Sequence, residues 1–261
     1  MMMGRMLSTR VTGALPDQVA QARGFLIDWD GCCAVDNQLV PSAVRFLKAN
    51  RQRSVIVSNN SSNTAEDFLR ILSKAGIEMR AEQVILAGVE ALGRAAASGS
   101  RRTWVLSDPR MRFLARRLGV CVDAEAPDLI VLLRDTRFSY LRLEKIINAL
   151  RSGASLIVSN PDMTHPGRGG TIRPETGALL AAIEACVTLP ESRLEIVGKP
   201  AAGLFLKGCA VLDQDPASLL MFGDNPATDI AGAEALGMNA LLVAPSPEQF
   251  FRGLVETFRI A

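Results

Sequence analysis

GFLIDWDG, residues 24–31, is an apolar run of four that ends abruptly on two acids and a glycine. Short apolar runs of this kind read as strands covered on both faces. Three more runs end the same way, each on one polar or charged residue: SVIV (54–57) on Ser58, LEIVG (194–198) on Lys199 and LLMFG (219–223) on Asp224. In a parallel α/β sheet the functional edge is the carboxyl end of the strands, so residues that follow strands directly can meet in one crevice. Two acids, a hydroxyl and an ammonium are a set suited to a phosphate group.

The segments between the runs read as helices. PSAVRFLKAN (41–50) is one, and NTAEDFLRILSKAG (63–76) another, with Asn63 or Thr64 as cap, Glu66 and Asp67 in an acidic first turn, and Gly76 at its end. From Leu194 onward the alternation resumes as EIVG, AGLFLKGCAVL, SLLMFG, TDIAGAEALGM and ALLVA, expected to be βα units of the same sheet. Between Ser58 and Lys199 lie 140 residues, whereas a βαβ unit needs about 30 or slightly more. An insertion must fill the difference. It has its own strands in TWVLS, DLIVLL and SLIVS and helices near 88–98, 109–118, 139–151 and 177–187. The expected division is a leader over 1–22, a discontinuous parallel-sheet core over 23–85 and 181–261, and an inserted α/β domain over 86–180.

Composition narrows the classes. A chain of 261 residues, 48% hydrophobic and 21% charged, is long enough for one large or two medium domains with a sizeable core. No apolar stretch approaches the ~18 residues of a membrane span. The leader carries Arg5 and Arg10 without an apolar centre or a small-residue cleavage site, and reads as a mobile or docked segment, not an address. A net charge of +2 gives no argument for a nucleic-acid partner. Arg110, Arg112, Arg116 and Arg117 read as the solvated face of a short helix whose Met111, Phe113, Leu114 and Leu118 form a buried stripe. The five cysteines, at 32, 33, 121, 186 and 209, have no metal-ligand spacing and suit reduced thiols in the cytoplasm. Cys32 and Cys33 read as small buried side chains.

Chemistry attaches to the strand ends. Asp28 and Asp30 sit two apart where a strand breaks into a loop, with Gly31 permitting the tight turn. One carboxylate can attack phosphorus, giving an aspartyl-phosphate, and the other can protonate the leaving alkoxide. Alone, such a motif is equally a turn or a calcium loop. Ser58, Asn59 and Asn60 supply a hydroxyl, two amides and loop N–H groups for phosphoryl oxygens, and also read as a polar loop and cap. Lys199 would neutralise phosphate charge and hold the nucleophile, or else be a surface lysine. Asp224 and Asp229 add two acids, and clustered carboxylates beside a phosphate call for Mg²⁺.

In their order, DWDG, SNN, VGKP and GDN followed by TDI resemble motifs one to four of the haloacid dehalogenase-like (HAD) superfamily. NPDMTHP, TGALLAAIEA, EIVGKP and GDNPATDIAGAEALGM, with the long insertion, are similar to its subfamily IIA, the NagD or 4-nitrophenylphosphatase type, over residues 23–245. The resemblance implies a Rossmann-like core with an inserted α/β cap. It implies a Mg²⁺-dependent phosphatase acting on a small phosphomonoester such as a sugar phosphate or nucleotide, with a homodimer as the assembly it allows. Asp28 would be nucleophile and metal ligand, and Asp30 the general acid and base, with its carbonyl on the metal. Ser58, Asn59 and Asn60 would surround the phosphate, with Lys199 as its clamp. Asp224 would be the third protein ligand, and Asp229 would orient the set from just outside it.

The chain departs from that pattern in places. Trp29 stands where a small or aliphatic residue is usual, and is expected in the core or the domain interface. Glu175 replaces a small residue, and Ala87-Gly88 lacks a serine. The only histidine, His165, reads as structural or solvent-facing, which makes histidine-activated nucleophiles and multi-histidine zinc sites poor fits. Asp162 is a candidate substrate contact from the cap, or a turn-stabilising residue. Two rivals share the motifs: a phosphotransferase that passes the same intermediate to an acceptor other than water, and a sensor that binds a phosphate ligand without turnover.

Overall fold

The computed structural model describes residues 15–166 and 171–260. Residues 1–14 of the expected leader lie outside that range. The chain runs α1 (Leu15–Gln21), β1 (Gly24–Ile27), a small hairpin of β2 (Ala34–Val35) and β3 (Gln38–Leu39), α2 (Pro41–Asn50), β4 (Ser54–Ser58), α3 (Ala65–Lys74) and β5 (Val84–Leu86). Then come α4 (Ala87–Ala97), β6 (Thr103–Leu106), α5 (Pro109–Arg117), β7 (Leu129–Leu132), α6 (Tyr140–Arg151) and β8 (Ser155–Val158). A second hairpin of β9 (Thr164–Pro166) and β10 (Ile172–Pro174) leads to α7 (Thr176–Glu184) and β11 (Leu194–Ile196). The chain ends with α8 (Ala202–Leu212), β12 (Leu219–Gly223), α9 (Ala231–Glu234), β13 (Asn239–Leu242) and α10 (Pro247–Thr257).

Two parallel sheets result. The first has the order β13-β12-β1-β4-β5. From β1 the chain moves one way to β4 and β5 and later the other way to β12 and β13, so β1 ends at the topological switch point, where such sheets open a crevice. Successive residues of β1 face opposite sides: Phe25 and Ile27 enter one apolar cluster and Leu26 another. The first cluster is filled by α2, α3 and α10. The second joins Leu26, Val57 and Met221 to Val105, Val131 and Ile157 of the second sheet through α4 and α8. The inserted unit is therefore fastened to the core by continuous apolar packing.

The second sheet has the order β11-β8-β7-β6. This corrects one expectation, because LEIVG is an edge strand of the inserted sheet and not a strand of the core. Leu194 and Ile196 pack on a cluster containing Leu180 and Ile183 of α7, a surface only the second sheet offers. The α5 stripe also differs: Met111 and Ala115 are buried, while Phe113 and Leu118 are exposed. Met111 and Ala115 are four apart on one face, and Phe113, two residues on, falls on the far side.

Local signals elsewhere match the structure. Thr64 caps α3 in a capping box with Asp67. Trp29 is wholly buried in the core, its ring tilted against Phe68 at a centroid distance of 4.3 Å, with its Nε1 donating to Asn37 Oδ1 at 3.0 Å. Cys32 and Cys33 are buried, and burial holds both thiols well above their ordinary pKa.

Candidate active site

Lys199 is the centre of the site, 1% exposed although it carries an ammonium. Its Nζ donates to Asp28 Oδ1 at 2.5 Å and to the Val57 carbonyl at 2.9 Å, and lies 2.6 Å from Asp229 Oδ1. Burial alone would pull its pKa down, but the charges of Asp229 and Asp28 outweigh that and raise it, so the lysine stays charged. Two carboxylates thus share one cation. Burial raises Asp28 well above the usual carboxylate range, and the Asp229 and Asp224 charges add to it. Asp224 is pushed up to about 6 by burial and then by Asp229.

The excess negative charge is a fit for a metal ion. Asp28, Asp224 and Asp229 each offer a carboxylate oxygen within 4.8 Å of the others, an all-oxygen donor set of the kind hard divalent cations take. Asp229 is the most engaged of the three, with Oδ1 beside the ammonium and Oδ2 accepting from Asn225 N at 3.1 Å. Two glycines make this crowding achievable. Gly31 has φ +83°, and a Cβ there would sit 2.1 Å from Asp224 Oδ2; a Cβ on Gly223 would sit 2.2 Å from Asp229 Cβ.

The loop after β4 is tied down by its own side chains. Asn60 N donates to Ser58 Oγ at 3.1 Å, and Asn60 Oδ1 accepts from the main-chain N–H groups of Ser62 and Asn63. Asn59 Nδ2 donates to Asp162 Oδ2 and to the Lys199 carbonyl, both at 3.0 Å, while its Oδ1 accepts from Lys199 N at 2.7 Å. Both amide hydrogens are therefore in use, so an anion would meet the Asn59 main chain, with the side chain bracing Lys199 and the inserted unit. Asp30 hydrogen-bonds to Asn60, yet burial raises its carboxyl above the ordinary value.

Every residue singled out from the sequence, namely Asp28, Asp30, Ser58, Asn59, Asn60, Lys199, Asp224 and Asp229, lines one cleft of about 360 Å³. The opposite wall comes from the inserted unit: Arg134, Asp162, Thr164, His165, Arg173 and Glu175. His165 Nδ1 lies 2.7 Å from Glu175 Oε1. Burial pulls the imidazole below its ordinary pKa and pushes Glu175 up to about 7. Arg134 and Arg173 were not anticipated, although Arg134 follows the run DLIVLL as directly as Lys199 follows LEIVG.

Comparison with known proteins agrees with this geometry. A model of haloacid dehalogenase-like hydrolases matches residues 25–121, and a second, of HAD-like hydrolases, matches 196–246. Mouse chronophin is 31% identical over 245 residues, covering 88% of this chain and 83% of that protein. The chain belongs to the haloacid dehalogenase-like hydrolases. Within that family it is of the NagD type, subfamily IIA. The structure of a 4-nitrophenylphosphatase from Thermotoga maritima superposes with a TM-score of 0.76 at 28% identity, covering 90% of this chain and 92% of that one. A glycerol phosphate phosphatase from Mycobacterium tuberculosis, solved in complex with magnesium, gives a TM-score of 0.73 at 25% identity over 86% of this chain and 68% of that one.

Proposed function

We propose that this hydrolase is a Mg²⁺-dependent phosphatase of small phosphomonoesters that works through an aspartyl-phosphate on Asp28. The observation that carries the reading is the buried Lys199 ammonium joining Asp28 and Asp229 at the switch point of the first sheet. Lys199 fixes the Asp28 carboxylate and adds positive charge where the phosphoryl oxygens gather. Main-chain N–H groups of the 58–60 loop and the Ser58 hydroxyl would hold those oxygens. Asp28, Asp224 and the Asp30 carbonyl would hold the Mg²⁺, with Asp229 orienting them; the metal supplies charge neutralisation for the phosphoryl group.

Asp30 is the group for proton transfer. The charges of Asp162 and Arg134 on the opposite wall act on its carboxyl, which supports a position facing the leaving group. Burial that raises the carboxyl favours its protonated form, which would donate to the leaving alkoxide, and as a carboxylate it would then take the proton of the attacking water. The inserted unit serves as a cap that excludes bulk water from the first step. The two solved relatives named as phosphatases, from Thermotoga maritima and Mycobacterium tuberculosis, support the class. Release of inorganic phosphate from 4-nitrophenyl phosphate and a panel of phosphate esters with Mg²⁺ tests it. Turnover that survives Asp28→Asn would refute the nucleophile.

A further inference from the structure

Lys199 works in the core wall, but its main chain belongs to the inserted unit. It follows β11 of the second sheet, so a shift of that unit against the core would carry its Nζ away from Asp28. One core side chain fixes its backbone. Asn59, directly after β4 of the first sheet, accepts from Lys199 N at 2.7 Å through Oδ1 and donates to the Lys199 carbonyl at 3.0 Å through Nδ2. A single amide thus holds both main-chain polar groups of Lys199.

Asn59 is held in turn from the insertion. The second hydrogen of its Nδ2 goes to Asp162 Oδ2 at 3.0 Å, and its carbonyl accepts from Asn160 Nδ2 at 2.9 Å. Asn160 and Asp162 follow β8, the strand beside β11, so the ends of two neighbouring strands close on one core residue. Their turn is tied down by other groups. Asn160 Oδ1 accepts from Asp162 N at 3.1 Å, and the Asp162 carbonyl accepts from Gly177 N at 2.8 Å at the start of α7. The turn therefore takes its local support from the Asn160 side chain, which leaves the Asp162 carboxylate directed at Asn59.

A carboxylate is the harder choice in this place. Asp162 lies within the fields of Lys199 and Asp229 and itself acts on Asp30, in a cleft that has to admit a phosphate. A neutral acceptor would spare that repulsion. Two properties set the carboxylate apart: an ionised acceptor makes a hydrogen bond roughly twice as strong as a neutral one, and a carboxylate only accepts. It therefore admits Nδ2 and rejects Oδ1, which turns the Asn59 amide in the one sense that suits Lys199.

We infer that Asp162 is a positioning residue for phosphoryl transfer: through Asn59 it fixes the Lys199 main chain, and with it the ammonium that Asp28 and Asp229 share. This rests on the phosphatase reading of the same site. Because Asp162 acts on the phosphoryl end of the cleft, its loss slows every ester alike, whereas a residue that contacts the alcohol changes the ranking of esters.

The test is steady-state phosphate release with Mg²⁺ from 4-nitrophenyl phosphate, glycerol 3-phosphate and adenosine 5′-monophosphate, with the folded fraction read by circular dichroism. In Asp162→Ala, kcat per folded site should fall about tenfold on each ester the wild type accepts, and the ratios of kcat/KM between esters should stay within about twofold. Asp162→Asn, which keeps an acceptor for Asn59, should recover most of the loss. In an Asn59→Ala background, Asp162→Ala should cost no more than about a further twofold, since residues that act through one another are not additive. If Asp162→Ala does not fold, Asp162→Ser, too short to reach Asn59, takes its place in each comparison. An unchanged kcat, a loss that differs about tenfold between esters, or a full tenfold loss on top of Asn59→Ala each overturns the inference while leaving the phosphatase reading intact. Inertness of the wild type toward every ester sinks the phosphatase reading itself. Calorimetric binding of inorganic phosphate with Mg²⁺ then decides the positioning: affinity about tenfold weaker in Asp162→Ala and restored in Asp162→Asn supports it, and equal affinity overturns it.

Discussion

The two walls of the cleft lie at the carboxyl ends of two parallel sheets, with Lys199 reaching the core wall from the end of an edge strand of the second, but they hold their polar groups in different states. On the core wall Asp28, Lys199 and Asp229 are 5%, 1% and 1% exposed and joined in one ion-pair cluster. On the cap wall the Arg134 side chain is 23% exposed and that of His165 24%; Arg173 lies in β10 of the hairpin and Glu175 directly follows it. Buried charge fixed by several partners changes little when the ligand changes, so the core wall suits the invariant phosphoryl group. Partly exposed groups at a strand end and on a hairpin can be altered without disturbing a core, so the cap wall suits the variable alcohol.

Asp28→Asn breaks this contrast at its strongest point. It keeps the shape of the side chain and removes the nucleophile, so turnover should fall on the order of 10⁴-fold or more, read as phosphate release, while the fold is retained by circular dichroism. Lys199→Ala strikes the same cluster through stability. It leaves Asp28 and Asp229 buried without their cation, and metal-free protein should lose about 3–5 kcal/mol in denaturant unfolding. A loss below about 1 kcal/mol would mean the core wall is not the fixed one.

Gly31→Ala asks how tightly the first acidic loop must fit. The residue has φ +83° and its new Cβ would meet Asp224, so the carboxylates must move apart. A displacement of about 1 Å costs about 10²-fold in rate, and kcat should carry most of it.

The smallest effect lies where the walls are fastened together. Asp67 Oδ1 pairs with Arg110 of α5, and its Oδ2 completes the cap of α3 by accepting from Thr64 N at 3.0 Å. Burial raises its pKa, but the Thr64 N–H and the Arg110 guanidinium outweigh that and depress it. A depressed carboxylate contributes stability that is present above its unfolded value and lost as pH falls through its folded value. Asp67→Asn should cost about 1 kcal/mol at neutral pH and shrink the wild-type advantage below pH 4, measured as melting temperature against pH.

Much of the core wall was legible in the sequence. Apolar runs that stop on a single charge are visible without tertiary information, and GFLI, SVIV and LLMFG form neighbouring strands as read. LEIVG was misplaced because a short edge strand with Leu194 and Ile196 alternating around Glu195 looks, in one dimension, like a core run; only its packing partners on α7 distinguish it. Arg134 carries the same signal as the four strand ends, but it follows a strand of the second sheet, whose carboxyl edge meets that of the first only in the folded chain. Arg173 gave no signal, since Ile172–Pro174 is exposed throughout and has no apolar pattern. The Asp67–Arg110 contact joins residues far apart in sequence, each with a sufficient local explanation as a first-turn acid and a solvated arginine.

The most direct test of the divided cleft is the covalent state of Asp28 during turnover. Enzyme mixed with Mg²⁺ and an isotopically labelled phosphate ester, quenched in acid within milliseconds and digested, should carry one base-labile phosphoryl group on the peptide containing residues 24–31, and Asp28→Asn should carry none. Phosphate release without label on that peptide, or with the label on another residue, would contradict the account.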